Sequence, residues 1–166
     1  FGARNGWEVP LWWAPAGVIP EDEPVYGRAN WFSYVAQEAH AVANTAGLID
    51  MSSLAKFEVS GQGAAGWLDS LCTSRMPETG RVAPSLILTK KGGIAAFIAI
   101  LRTAPDRFLV TASALLEQHL DDLLKRGAPQ DVRVSNETAA RGTLLLAGPK
   151  ARDILHAVTR TDVSDA

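Results

Sequence analysis

Three histidines (His40, His119, His156), one cysteine (Cys72) and the carboxylate pair Asp121-Asp122 are the side chains best suited to acid–base, nucleophilic or metal-assisted chemistry. Their spacing does not assemble a site. The histidines fall far apart on segments of helical pattern, which suits solvated or capping roles. Cys72 follows Trp67, Leu68 and Leu71 at helical spacing, the setting of a small core residue rather than a nucleophile. Asp121-Asp122 precedes Lys125-Arg126 on one helix and reads as a solvated face. Two backbone features could hold an anion: the turn Lys90-Lys91-Gly92-Gly93, and Leu146-Ala147-Gly148-Pro149 at the entry to a helix. A hairpin turn with solubilising lysines explains the first equally well. No G-x-G-x-x-G, P-loop, H-E-x-x-H or G-x-S-x-G pattern is present.

The elements that would position these residues mix helices with antiparallel strands. Residues 1–30 hold Pro10, Pro15, Pro20 and Pro24 with Trp7, Trp12 and Trp13 and no regular period, which predicts an irregular arm whose aromatics cover the domain's own surface or a neighbour's. Asn30 is placed to cap a helix over 31–45, stopped by Gly47. Over 54–59, Leu54, Lys56 and Glu58 alternate with Ala55, Phe57 and Val59, predicting a half-buried strand that ends at Ser60-Gly61. A second helix is expected over 62–71. Strands over 85–89, 94–101 and 107–111, joined by Lys90-Lys91-Gly92-Gly93 and Thr103-Ala104-Pro105-Asp106, form an antiparallel meander. Ser113 is expected to cap a helix that ends at Gly127. Strands over 132–135 and 143–147 follow, and Pro149 sits near the start of a last helix. The fold class is α+β, an antiparallel sheet meander with packed helices. The expected organisation is an arm over 1–30 and one domain over 31–166.

The chain has 166 residues, 47% of them hydrophobic and 20% charged, the makeup of a domain able to bury a core without disulfides. A net charge of −2 with scattered Lys and Arg speaks against nucleic-acid binding. The longest apolar runs are far below the roughly 20 residues that span a bilayer, so no membrane role is expected. A single cysteine suits a reducing compartment, the cytoplasm or, in a eukaryote, the mitochondrial matrix. The chain opens at Phe1 and stops soon after an expected helix, which reads as a piece of something longer.

Several segments, in order, resemble the glycine-cleavage T-protein (aminomethyltransferase) superfamily, most closely its dimethylglycine and sarcosine dehydrogenase branch. Gly6-Trp7-Glu8-Val9-Pro10 resembles that branch's G-W-E-x-P entry, and EAHAVANTAGLIDMS over 38–52 its E-x-x-A-V-x-x-x-x-G-x-x-D-x-S stretch. Lys56-Phe57-Glu58-Val59-Ser60-Gly61 resembles the following strand and turn, Thr89-Lys90-Lys91-Gly92-Gly93-Ile94 the hairpin, and Ala147-Gly148-Pro149-Lys150-Ala151 the helix entry. The resemblance covers the N-terminal half of the family domain.

That resemblance implies a domain that binds tetrahydrofolate in a central cleft and captures a one-carbon unit as 5,10-methylenetetrahydrofolate. A separate N-terminal flavin domain of the parent protein, carrying FAD, would perform the oxidation. Leu54, Phe97 and Thr111 would line the pterin side by analogy of position; the catalytic residues are not identified. Three departures stand out. Ala96 and Phe97 fall where the family has its acidic pair, Thr111 where it has an asparagine, and Pro84 near its folate-contacting tyrosine. The half supplying a carboxylate to the pterin and an arginine to the glutamate tail would lie beyond Ala166. The fragment alone is therefore expected to be inactive, with weak or undetectable folate binding. The competing expectation is a non-catalytic folate-sensing or scaffold module of the same fold.

Overall fold

The computed structural model describes residues 1–4, 6–159 and 162–163. Asn5, Arg160, Thr161 and residues 164–166 lie outside the described residues. The expected boundary at residue 30 rests on composition. By packing, the chain forms two compact units, one of Met51–Thr143 and one of Phe1–Asp50 with Leu144–Ala166.

The Met51–Thr143 unit is a five-stranded antiparallel sheet with two helices on one face. Its strands are β4 (Ala55–Ser60), β5 (Val82–Leu88), β6 (Ile94–Ala104), β7 (Arg107–Ala112) and β8 (Arg133–Asn136), in the order β5-β6-β7-β4-β8. Successive strand residues point to opposite faces. The alternation therefore sends Ala55, Phe57 and Val59, then Ala96, Ile98 and Ile100, then Phe108, Val110 and Ala112, to one face, where they are buried. Against them pack α2 (Ala64–Leu71), through Ala64 and Leu68, and α3 (Glu117–Gly127), through Leu120 and Leu124. Each fully buried Leu, Ile, Val or Phe contributes about 1.5–3 kcal/mol, so this layer is what holds the unit together.

The meander forms as its turn residues dictate. At the β5–β6 turn Gly92 has φ +81°, its N–H donates to the Thr89 carbonyl at 2.9 Å, and the Gly93 N–H donates to Thr89 Oγ1 at 3.0 Å. Only a residue without Cβ adopts that φ freely. The expected α3 start differs. Ser113 makes no side-chain cap, and a short 3-10 turn, Ala114–Leu116, precedes the helix.

The second unit contains the hairpin β1 (Gly2–Arg4) with β2 (Trp7–Val9), the helix α1 (Phe32–Asn44), the ribbon β3 (Gly47–Asp50) with β9 (Leu144–Ala147), and α4 (Ala151–Thr159). The arm is thus more ordered than its composition suggests. Trp12 stacks on Tyr34 of α1, 5.8 Å between ring centroids and 5° from parallel. Asn30 does not cap α1. Its Nδ2 donates to the Glu21 carbonyl at 2.8 Å and its Oδ1 accepts from the Glu23 N–H at 3.4 Å, tying the arm instead. Gly47, expected as a helix stop, lies two residues past the Thr45 C-cap of α1 and opens β3, and a Cβ there would run into the Val42 side chain. Among the described residues of this unit none is buried.

Candidate functional site

The face of the five-stranded sheet away from α2 and α3 carries the positions singled out by the sequence. Leu86 of β5 stands opposite Phe97 of β6. The next row runs Pro84, Ala99, Thr111 and Lys56 across β5, β6, β7 and β4, and the row after it includes Leu101, Leu109 and Glu58. Pro84 lies on the edge strand β5, where its missing N–H leaves no gap inside the sheet. The small Ala99 sits between Pro84 and Thr111, one row from Phe97, which is 62% exposed. Strand parity separates the two residues at the family's acidic position: Ala96 is buried on the helix-covered face and Phe97 alone looks onto the open one.

Leu54 enters through β4. It is half-buried in the turn that leads into that strand, its N–H donating to the Met51 carbonyl at 3.0 Å. The residue that fixes this turn is Lys56, which the alternation had put on the solvent side. It is 1% exposed. Its Nζ donates to the carbonyls of Ser52 and Leu54, both at 2.8 Å. Its backbone N–H donates to Thr138 Oγ1 at 3.0 Å, and its carbonyl accepts from the Glu137 N–H at 2.8 Å. Ser52 is held in addition by the Thr143 N–H, which donates to its Oγ at 3.1 Å. A buried cation whose donors meet carbonyls is the form in which a lysine can sit inside a protein. No sequence pattern flags this role; the Ser52 and Leu54 carbonyls that the turn presents to the ammonium create it.

His40, His119 and His156 are exposed on α1, α3 and α4, and no group of three metal-ligating side chains comes together among the described residues. Lys125 pairs with Asp121 at 2.8 Å and Arg126 with Asp122 at 2.9 Å, ion pairs one turn apart on α3. Both anion candidates are internally engaged. The glycine N–H groups of the 89–93 turn donate to Thr89. At the start of α4 the Lys150 N–H donates to the Thr45 carbonyl at 2.8 Å.

Burial pushes the Cys72 thiol up, Asp69 adds to that, and a hydrogen bond with Ser85 works against it. A raised pKa leaves less thiolate at pH 8, so native Cys72 is expected to react with iodoacetamide at least about tenfold more slowly than in urea. Equal rates in the two states would show that the thiol is neither shielded nor shifted.

Residues 1–166 match the family described as GCVT N-terminal domain. The chain is 34% identical over 169 residues to the mitochondrial dimethylglycine dehydrogenase of Rattus norvegicus, covering 99% of this chain and 20% of that protein. It is 36% identical over 167 residues to the 4-methylaminobutanoate oxidase (formaldehyde-forming) of Paenarthrobacter nicotinovorans, again 99% of this chain and 20% of the other. In structure it resembles the glycine cleavage system aminomethyltransferase T from Bartonella henselae, with a TM-score of 0.75 and 27% identity over 95% of this chain and 39% of that one. The chain thus spans about a fifth of the length of these two curated relatives.

Proposed function

This chain belongs to the GCVT N-terminal domain family, and from that premise we propose that it forms the pterin-side wall of a tetrahydrofolate-dependent one-carbon transfer domain in a dimethylglycine/sarcosine dehydrogenase-like protein. Its partner in that reading is an N-terminal flavin domain of the same parent, with FAD held there and not in this chain. A cytoplasmic or mitochondrial-matrix setting follows from the same reading. No helix among the described residues is long and apolar enough to cross a membrane.

The observation that carries the proposal is the open sheet face. A flat heteroaromatic ring needs an apolar platform and a few polar groups at its edge. Phe97 and Leu86 form such a platform beside the small Ala99, and Thr111 stands in the next row. Lys56 holds the turn that presents Leu54. Tetrahydrofolate, when bound, supplies the nitrogen nucleophiles that capture a one-carbon electrophile. The work of these residues is to orient the ring and to turn a dilute capture into a positioned one. Phe97 supplies no proton, so on this wall the contribution is binding and orientation.

The test uses the full-length parent during turnover of an N-methylated amine. Tetrahydrofolate is expected to suppress free formaldehyde and yield 5,10-methylenetetrahydrofolate. Phe97→Ser is expected to raise the KM for tetrahydrofolate about three- to tenfold, the range of one lost aromatic contact, and to leave flavin reduction unchanged. Formaldehyde release that ignores tetrahydrofolate would refute the transferase reading. The alternative, a non-catalytic folate-sensing or scaffold module, is favoured by Phe97 at the family's acidic position. It predicts that tetrahydrofolate binds the parent and leaves product partition unaltered.

A further inference from the structure

The tryptophan-rich arm encloses a cavity of its own. Phe1, Leu11, Trp12, Trp13 and Asp22 are among the residues lining about 330 Å³ of space there, a volume at the low end of small-molecule sites. Three of these side chains are aromatic. Phe1 and Trp13 meet edge to face, 6.3 Å between centroids and 78° between planes, so that the two rings stand as adjacent walls. Trp12 is held by its stack on Tyr34, and a ring already fixed loses little freedom when a ligand arrives. The rings are not used up by a core, since Trp13 remains 61% exposed. Asp22 is the one charged side chain among the described residues that line the cavity. Asn30 fixes the backbone on both sides of it, donating to the Glu21 carbonyl and accepting from the Glu23 N–H. The Asp22 carboxylate itself makes no ion pair or hydrogen bond with another described residue.

We infer that this aromatic cage binds a small organic cation, an amine whose ammonium nitrogen carries several methyl groups. The sign of the charge comes from Asp22 and from the rings, whose faces are electron-rich and attract cations. An anion would meet the carboxylate and be repelled. A metal ion would need several oxygen donors, and the carboxylate is the single anionic group in the lining. A bare ammonium is compact and keeps its water. Methyl groups spread the charge and replace that water with contacts to Phe1, Trp12 and Trp13, which is how aromatic cages select methylated nitrogen.

Fluorine NMR on the full-length parent labelled with fluorotryptophan tests it, the Trp12 and Trp13 resonances being assigned by Trp12→Phe and Trp13→Phe. Tetramethylammonium is the probe. It is expected to shift both resonances saturably in the millimolar range. Ammonium has the charge without the methyl shell, and tert-butyl alcohol the shape without the charge. Each should bind at least about fivefold more weakly. Asp22→Asn should weaken tetramethylammonium binding about three- to fivefold, and Asp22→Glu should restore most of it. Trp13→Ala, read on the Trp12 resonance, should weaken it about three- to thirtyfold. If that variant disturbs the arm, Asp22→Asn decides alone, because it removes the charge and keeps the volume. Equal affinity for tetramethylammonium and tert-butyl alcohol would overturn the inference. So would wild-type affinity in Asp22→Asn. A trimethyllysine peptide that binds at least about tenfold more tightly than tetramethylammonium would assign the cage to a protein ligand and overturn it too. None of these outcomes depends on whether tetrahydrofolate changes product partition, so the two readings fail separately.

Discussion

Gly61→Ala is expected to destabilise the chain by about 3–5 kcal/mol, the sum of the strain of a φ reserved for glycine and of a forced backbone shift. Gly61 has φ +130°, and a Cβ built on it would lie 1.9 Å from the Asp131 carbonyl oxygen and 3.2 Å from the Val132 Cα. Backbone atoms cannot rotate away as the end of a side chain can. The residue is also a junction, since its N–H donates to the Asp106 carbonyl and its own carbonyl accepts from the Ala64 N–H at the start of α2, both at 3.0 Å. Moving it disturbs the end of β4 and the helix that covers the core. Thermal or urea denaturation measures the loss. Gly66→Ala is the control. It lies exposed in α2 with nothing within 4 Å of its would-be Cβ, and should stabilise by about 0.5–1 kcal/mol. If both alanines behaved alike, the effect at Gly61 would not come from its crowding.

Lys56→Met should cost about 2–4 kcal/mol, because bonds from a charged donor are lost and buried carbonyls are left without it. Methionine keeps most of the stem's volume, so packing changes little and the loss reports on the ammonium. The carbonyls released belong to Ser52 and Leu54, so proteolysis within 51–54 should quicken, and in the full-length parent the KM for tetrahydrofolate should rise while flavin reduction is unchanged. The opposing force is desolvation of the buried charge, which in other settings makes an apolar replacement neutral or stabilising. An equal or higher urea midpoint for Lys56→Met would mean that desolvation dominates here and that the turn holds itself.

Much of the sheet could be read from the chain because the relevant forces are local. Gly92-Gly93 and Pro105-Asp106 mark the turns of the meander, and the apolar alternation fixes which face of β6 and β7 is buried. The same parity puts Phe97 and Thr111 on one face and Ala96 on the other. What escaped depends on distant partners. β3 is four residues long and exists as a strand through its pairing with β9, about a hundred residues later. Asn30 has the right chemistry for a cap, but carbonyl and amide partners in the arm take its side chain first. Lys56 obeys the strand's alternation in direction and breaks its solvent rule, because the turn 51–54 and Thr138 enclose it.

The position of β4 in the sheet has a consequence for biosynthesis. It leaves the ribosome before the other four strands, yet it lies between the last two to be made, β7 and β8. Its outermost tie, from the Lys56 N–H to Thr138, spans 82 residues. Until that length of chain has emerged, the edge of β4 that pairs with β8 has no settled partner. The β5–β7 meander can meanwhile zip up from its own turns. Nascent chains stalled between β7 and β8 should accordingly be the ones that holdase chaperones capture.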